Sequence, residues 1–398
     1  MPEQIVKQRS RGFICINAHP EGCSAMVERQ TQAMSAGCRS GLSGPRNVLV
    51  IGASTGYGLA TRIAAAWGFG ANTLGVFFER PPEGKKTATA GYYNSAAFHR
   101  RARRDGLHAE SVNGDAFSDD VKRETAALIR KDFGKLDLVV YSLAAPRRTN
   151  PRDGHTYQSA LRPIGQPYTG KTVDLSTRIV ADITVEPASQ QEIDETVAVM
   201  GGEDWRWWIE LLIEENLLAA GARTLAYTYV GPKVTWPIYR DGTIGVAKKH
   251  LAATARHLDG VLHSRLGGNA WVSVNKAVVT QASAAIPMIP LYVSLLFLVM
   301  RRKGLHEGCI EQMRRLAFEH LAAGKTPATD EDGMIRLDDL ELRDDVQAEV
   351  MELWGRATTE NLEQISDLAG FRLDFNNLFG FEVDGVDYEQ PTETDLSL

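Results

Sequence analysis

Cysteine is scarce in this chain of 398 residues. Cys15, Cys23, Cys38 and Cys309 are the whole set; none forms a C-x-x-C pair, and no His/Cys cluster has zinc spacing. A reducing compartment and no metal site are the expectation. A basic excess is lacking too: 44 Lys and Arg stand against 50 Asp and Glu, a net charge of -6. A general nucleic-acid binder needs a basic face to neutralise phosphates, so that class is set aside. Long apolar runs are also missing. The longest, IPMIPLYVSLLFLVM at 286–300, falls short of the ~20 residues that span a bilayer, and reads as a buried or flap helix. The charged N-terminus holds only the apolar FICI at 13–16, so no secretory signal is expected. There is no internal repeat and no low-complexity tract.

What is present is a globular composition, 43% hydrophobic, long enough to bury a large core. Four strand-like runs, at 47–51, 73–78, 108–114 and 136–144, alternate with helical patterns at 57–67, 93–104 and 118–133. This rhythm predicts an α/β fold with a Rossmann-type doubly wound parallel sheet. Two more buried strands are expected at 223–231 and 269–280, separated by a helix carrying Lys248. The resulting plan is one domain over 1–398. It has an N-terminal lead (1–46), a dinucleotide-binding core (47–146 and 222–300), an inserted hairpin-helix segment (147–221) and a mainly helical C-terminal extension (301–398). In the insertion, Trp205, Trp208 and Leu212 share a helical face and read as core.

The strongest local signal is VLVIGASTGYGLATRIAAAWG. An apolar strand runs into Gly52-x-x-x-Gly56-x-Gly58 and then into a helix of small residues, the context a dinucleotide fingerprint requires. Glycine allows the tight turn, the helix N-terminus offers free N–H groups to a pyrophosphate, and Ser54 and Thr55 add hydroxyl donors. Glu79 closes the second strand. A carboxylate there accepts from both adenosine-ribose hydroxyls and repels a 2′-phosphate, which favours NAD over NADP. Asp115 and Ala116 follow the third strand, where adenine would be gripped, and Leu143 and Ala144 follow the fourth, beside the nicotinamide ribose.

Three patterns are rejected on their surroundings. GQPYTGKT at 165–172 fits the phosphate-loop consensus, but no buried strand precedes it, Pro167 removes a donor, and VDLSTRIV after it reads as a strand instead of a helix. TDEDGMIRLDD puts Gly333 at the sixth place of a calcium loop, but Ala328, just ahead of it, then takes the first, where a carboxylate is needed. GLSGP precedes the first strand and lacks the last glycine of a nucleophile elbow. The basic runs HRRARR (99–104) and RRK (301–303) read as solvated faces, with docking of an acidic carrier protein or coenzyme phosphates left open.

Tyr239 precedes Lys248 in YRDGTIGVAKK, with eight residues between them. On one unbroken helix they would point oppositely, at about 100° per residue. Asp241-Gly242 signals a turn, so Tyr239 is expected on a loop folded back over a helix that starts near Thr243 and carries Lys248 inward. Lys249 is the alternative lysine. A core aromatic and an exposed charge remain the bland readings of the pair.

With GASTGYG, FFE at 77–79, NGDAFS, YSLAAPRR, YTYVGP, TWPIYRDGTIG and VVTQASAAIPMIPLY, this pair resembles the FabV-type enoyl-acyl-carrier-protein reductases and their relatives, the trans-2-enoyl-CoA reductases. The likeness runs through nearly the whole chain. It implies that Gly52, Ala53, Ser54, Thr55, Gly56 and Tyr57 hold the pyrophosphate, and that Phe78 and Glu79 set cofactor choice. Asp115, Ala116, Leu143 and Ala144 would line the NAD site. Lys248 would contact cofactor, Val278, Val279 and Thr280 the nicotinamide, and Tyr229 the substrate, with Tyr239 as proton donor. The implied activity is NADH-dependent reduction of trans-2-enoyl thioesters, carried on acyl carrier protein or coenzyme A, by a cytoplasmic monomer. A 3-oxoacyl or other carbonyl reductase using the same tyrosine and lysine is the alternative.

Overall fold

The computed structural model describes residues 3–11, 14–37, 42–143, 145–280 and 286–398. A short hairpin, β1 (Ser10–Arg11) and β2 (Ile14–Cys15), leads into helix α1 (Pro20–Ala36). The α/β rhythm follows: β3 (Asn47–Ile51), α2 (Gly56–Phe69), β4 (Asn72–Phe77), α3 (Ala90–Arg104), β5 (Ala109–Asn113), α4 (Asp119–Leu128) and β6 (Leu136–Tyr141). Val48 to Ile51 are buried throughout, because a central parallel strand is covered by helices on both faces.

The insertion contains two antiparallel hairpins instead of the one expected. They are β7 (Arg147–Thr149) with β8 (Thr156–Gln158), and β9 (Tyr168–Val173) with β10 (Val180–Val185). Helices α5 (Gln190–Met200) and α6 (Glu203–Glu214) follow, and Trp205, Trp208 and Leu212 are fully buried as the helical spacing predicts. The chain re-enters the sheet as β11 (Leu218–Thr228), α7 (Thr243–Leu266) and β12 (Asn269–Val274).

The sheet has seven strands in the order β13-β12-β11-β6-β3-β4-β5, and every pairing in it is parallel. Strand order reverses between β3 and β6, so the crevice at their carboxyl ends is where such a sheet takes a ligand. The edge strand β13 (Ile335–Arg336) comes from the C-terminal extension, whose sequence is mainly helical in pattern. Two residues are too few to show a period. The extension also packs α10 (Asp344–Arg356) and α12 (Leu368–Asn377) against α8 (Ile289–Arg302), the apolar run at 286–300, whose residues from Ile289 to Phe297 are all buried.

Some sequence expectations are corrected. VDLSTRIV at 173–180 is the turn of the β9/β10 hairpin, closed by Asp174 Oδ1 accepting from the N–H groups of Ser176 and Thr177. The strand expected at 269–280 stops at Val274. In HRRARR, His99 is buried and hydrogen-bonds Ser111 Oγ at 2.7 Å, while Arg101 is clamped by Glu28 and Asp105; only the remaining arginines fit a solvated face.

Candidate active site

The site begins at the glycine turn between β3 and α2. Gly52 has φ +88°, and a Cβ there would lie 2.2 Å from the Ser142 carbonyl oxygen, so the turn closes on the end of β6 only without a side chain. Gly58 is held as tightly: its Cβ would meet the Gly52 oxygen at 1.8 Å. Ala53 N–H is tied to Val76 O, and Leu143 lies against Gly52. Ala144 lies outside the described residues. Helix α2 starts at Gly56 with no side-chain cap, which leaves its first N–H groups as donors for an anion.

Beside the turn opens a cavity of about 610 Å³ lined by Thr55, Gly56, Glu79, Val278, Val279 and Thr280, with Phe297 and Asp374 among its other walls. An uncapped helix N-terminus, a carboxylate and a cavity of this size fit a nicotinamide dinucleotide. Ser54 corrects one expectation: its hydroxyl donates to Glu79 Oε1 at 2.7 Å, so it orients the carboxylate instead of facing the pyrophosphate. Tyr57 is turned inward as well, its hydroxyl donating to Lys276 O and accepting from Gln312 Nε2.

Glu79 is fixed from three sides. Asn113 pairs with its backbone, accepting from Glu79 N–H at 2.8 Å and donating to Glu79 O at 2.9 Å. Ser54 holds the carboxylate, and Gly91 of α3 leaves it room. Phe78, by contrast, is 77% exposed and outside the cavity lining. The loop with Asp115 and Ala116 is pinned by a buried ion pair: Lys122 Nζ bonds Asp204 Oδ1 at 2.7 Å and donates to the carbonyls of Ala116 and Phe117. Trp208 Nε1 also donates to Ala116 O.

Tyr239 stands in the turn after the short helix Lys233–Thr235, its N–H donating to Thr235 O at 2.9 Å, and α7 starts at Thr243. The loop does fold back. A Cβ on Gly245 would meet the Arg240 carbonyl oxygen at 1.8 Å and the Tyr239 oxygen at 2.7 Å, so a glycine in the first turn of α7 permits the close approach. Lys248 is half-buried and Lys249 exposed. Burial lowers the Lys248 ammonium to about 8, and no hydrogen bond or ion pair holds it among the described residues. Burial, with the Glu341 carboxylate adding to it, raises the Tyr239 phenol, which stays protonated at neutral pH.

Tyr229 and Tyr239 meet edge to face, ring centroids 5.1 Å apart and 89° between planes, and both pack on the apolar cluster around α8. Phe297 of that cluster also walls the cavity. Tyr229, Tyr239, Lys248, Asp115, Ala116 and Leu143 do not themselves line the cavity. The geometry thus shows two groups: a cavity beside the glycine turn at the end of β3, and a tyrosine cluster against α8. Sequence reasoning missed Asn113, Gly91, Lys276 and Glu341. Asn113 was within reach, standing where β5 ends alongside β4, but Glu341 sits in the acidic DDLELRDD and looks like any solvated carboxylate.

Sheet order, glycine turn and carboxylate together define a dinucleotide-binding α/β protein of the Rossmann class. Comparison with known proteins gives the family. Residues 86–322 match the trans-2-enoyl-CoA reductase catalytic region, and residues 5–84 the NAD(P)H-binding domain of trans-2-enoyl-CoA reductase. The chain belongs to this enoyl reductase family. An enoyl-[acyl-carrier-protein] reductase [NADH] of Flavobacterium johnsoniae is 56% identical over 388 residues, 98% of this chain and 97% of that one. One from Coxiella burnetii is 54% identical over 396 residues, 99% and 97% of the two chains. The crystal structure of Treponema denticola trans-2-enoyl-CoA reductase in complex with NAD has a TM-score of 0.95 at 48% identity, covering 99% of this chain and 100% of that one.

Residues 329–392 match a profile described as an enoyl reductase FAD-binding domain. The segment offers no glycine-rich strand-to-helix turn: β13 leads through 337–343 into α10 without a glycine, and α10 and α12 pack on α8. Its residues do not fit a dinucleotide cradle, and no step below involves a flavin.

Proposed function

We infer that this chain is an NADH-dependent enoyl reductase, reducing the C2–C3 double bond of trans-2-enoyl thioesters. The observation that carries the reading is the agreement of family over the whole chain with a cavity lined by both the α2 N-terminus and Glu79. The carbonyl-reductase alternative finds no support, since the matched family and the named relatives are enoyl reductases.

Bound NADH supplies a hydride to C3. Around it, the first N–H groups of α2 bind the pyrophosphate and Glu79 accepts from the adenosine ribose. Lys248, outside the cavity lining in the free protein, would hold the nicotinamide ribose, and Val278 to Thr280, which line it, would lie against the nicotinamide. As C3 is reduced, negative charge gathers on the thioester oxygen. The Tyr239 hydroxyl donates a hydrogen bond there and, directly or through the enol, the proton that ends on C2; a preorganised donor of this kind is worth about 3 kcal/mol. Its raised pKa fits a donor that must stay protonated until then. Tyr229 contacts the substrate.

We further propose that the thioester is carried by acyl carrier protein or coenzyme A, that the last reductive step of fatty acid elongation is served, and that the chain works as one domain and a monomer in the cytoplasm. No helix among the described residues is long and apolar enough to cross a membrane. The test is NADH oxidation with a trans-2-enoyl-CoA by the parent, Tyr239→Phe and Lys248→Ala. Loss of most of the rate in both folded variants is expected. A parent that binds NADH and leaves the enoyl thioester untouched refutes the chemistry.

A further inference from the structure

One buried carboxylate has no part in the mechanism so far. Glu341 lies in the turn between β13 and α10 and is fully buried. Its Oε1 accepts from the Tyr229 hydroxyl at 3.0 Å and the Tyr292 hydroxyl at 2.7 Å, and its Oε2 accepts from the Ala277 N–H at 2.7 Å. Gln347 Nε2 donates to the Tyr292 hydroxyl, which leaves the Tyr292 proton for the carboxylate. Every hydrogen-bond partner of the carboxylate oxygens is thus a donor, as an acceptor-only group requires.

The facing cation is Lys276, itself buried, with Nζ on Ala277 O at 2.7 Å and above the Phe297 ring at 4.7 Å. Its charge opposes the upward pull of burial on the Glu341 carboxyl. The three donors come from β11's end, from α8 and from the segment leaving β12. Among the described residues one carboxylate joins them, and the Tyr229 ring whose hydroxyl it holds meets the Tyr239 ring edge to face.

We propose that Glu341 is a positioning residue for enoyl reduction: it fixes Tyr229, and through the Tyr229 ring Tyr239, in register with the segment 278–280. The inference rests on the enoyl reductase reading and deepens it. A carboxylate with three partners on three elements sets their relative placement, and misplacement on the order of 1 Å at a reacting centre costs on the order of a hundredfold in rate.

The experiment measures steady-state NADH oxidation with a trans-2-enoyl-CoA for the parent, Glu341→Gln, Tyr229→Phe and the double variant, alongside NADH affinity and thermal melting. Glu341→Gln is expected to lower kcat on the order of ten- to a hundredfold with NADH affinity close to the parent's, and to lower the melting temperature, since an amide offers one acceptor where the carboxylate offers two and leaves Lys276 without its counter-charge. Because Glu341 acts through Tyr229, the double variant should be no slower than the slower single one. Should Glu341→Gln not fold, Tyr292→Phe removes one partner of the carboxylate and no proposed substrate contact. It is then expected to lower kcat at unchanged NADH affinity. A folded Glu341→Gln, or in its place Tyr292→Phe, within about twofold of the parent's kcat overturns the inference alone, as do losses that simply multiply in the double variant. A parent that binds NADH without turning over overturns the enoyl reductase reading, and this inference with it.

Discussion

Gly91→Ala should loosen the choice of NADH over NADPH without touching a charged residue. A methyl at Gly91 would stand 2.0 Å from Glu79 Oε1, 2.4 Å from Glu79 Cδ and 2.8 Å from Ser54 Cβ. The part able to yield is the free end of the glutamate, since Asn113 holds the Glu79 backbone at both its N–H and its carbonyl. The carboxylate therefore swings off the Ser54 hydroxyl, which now holds it at 2.7 Å. If it accepts from the adenosine ribose, the loss is one charge-assisted hydrogen bond, about 1.5–3 kcal/mol, or roughly ten- to 150-fold in kcat/KM for NADH. NADPH should suffer less, because the charge that repels its 2′-phosphate has moved away. The assay is kcat/KM for both cofactors in the parent, Gly91→Ala, Glu79→Ala and the double variant. The double variant should match Glu79→Ala, since there is then no carboxylate to displace. Equal losses with NADH and NADPH would mean that the methyl merely fills the cavity, and parent-like selectivity in Gly91→Ala beside a large loss in Glu79→Ala would refute the packing argument.

Lys248 carries a pH dependence. Burial sets it to about 8 in the free protein, and an anionic cofactor beside it would raise that value. NADH affinity should therefore be full below pH 8 and weaken above it, up to tenfold per pH unit, until the bound-state pKa is reached, and Lys248→Met should remove the slope in a binding titration. The stability of the unliganded protein moves the other way, because above pH 8 the unfolded chain holds the proton that the folded one has lost. Lys122→Met strands the buried Asp204 carboxylate and should cost about 3–5 kcal/mol in denaturant unfolding, of which adding Asp204→Asn restores part; a cost below about 1 kcal/mol would mean that Tyr141 alone suffices for Asp204. Lys171→Ala, at the phosphate-loop lookalike, should leave NADH turnover intact and lower the melting temperature, since Nζ donates to the Trp354, Gly355 and Ala357 carbonyls at the end of α10.

Legibility followed how local each constraint is. The glycine turn was readable because Gly52 and Gly58 answer steric demands set within a few residues and by the neighbouring strand. The fold-back of Tyr239 was readable because Asp241-Gly242 interrupts the helix in the sequence itself. Lys171 shows the opposite hazard: its motif matched letter by letter, yet the residue lies on a hairpin strand and caps a helix from another part of the chain. His99 sits in a run of arginines and is buried all the same, because Ser111 of β5 meets its ring. Glu341 was beyond reach for a similar reason. Its acidic neighbours look solvated, and the three donors that make it a buried group arrive from residues 229, 277 and 292.

The segment after β12 shows how a stretch without secondary structure acquires a fixed geometry. Beyond Val274 the chain leaves the sheet, and a buried backbone N–H that leaves a ladder must find another acceptor. Three consecutive donors find theirs on three different elements: Asn275 N–H on Thr228 O of β11, Lys276 N–H on Gln312 Oε1 of α9 (Cys309–Arg315), and Ala277 N–H on Glu341. Each partner is anchored in turn. Gln312 also holds the Tyr57 hydroxyl of α2, and Leu337, just after β13, donates back to Val274 O. Residues 278–280, which wall the cavity, therefore start from a point tied through Gln312 to Tyr57 of α2 and through Glu341 to the turn before α10. The extension thus reaches the segment 275–277 through Gln312 and Glu341, and the cavity wall through Asp374.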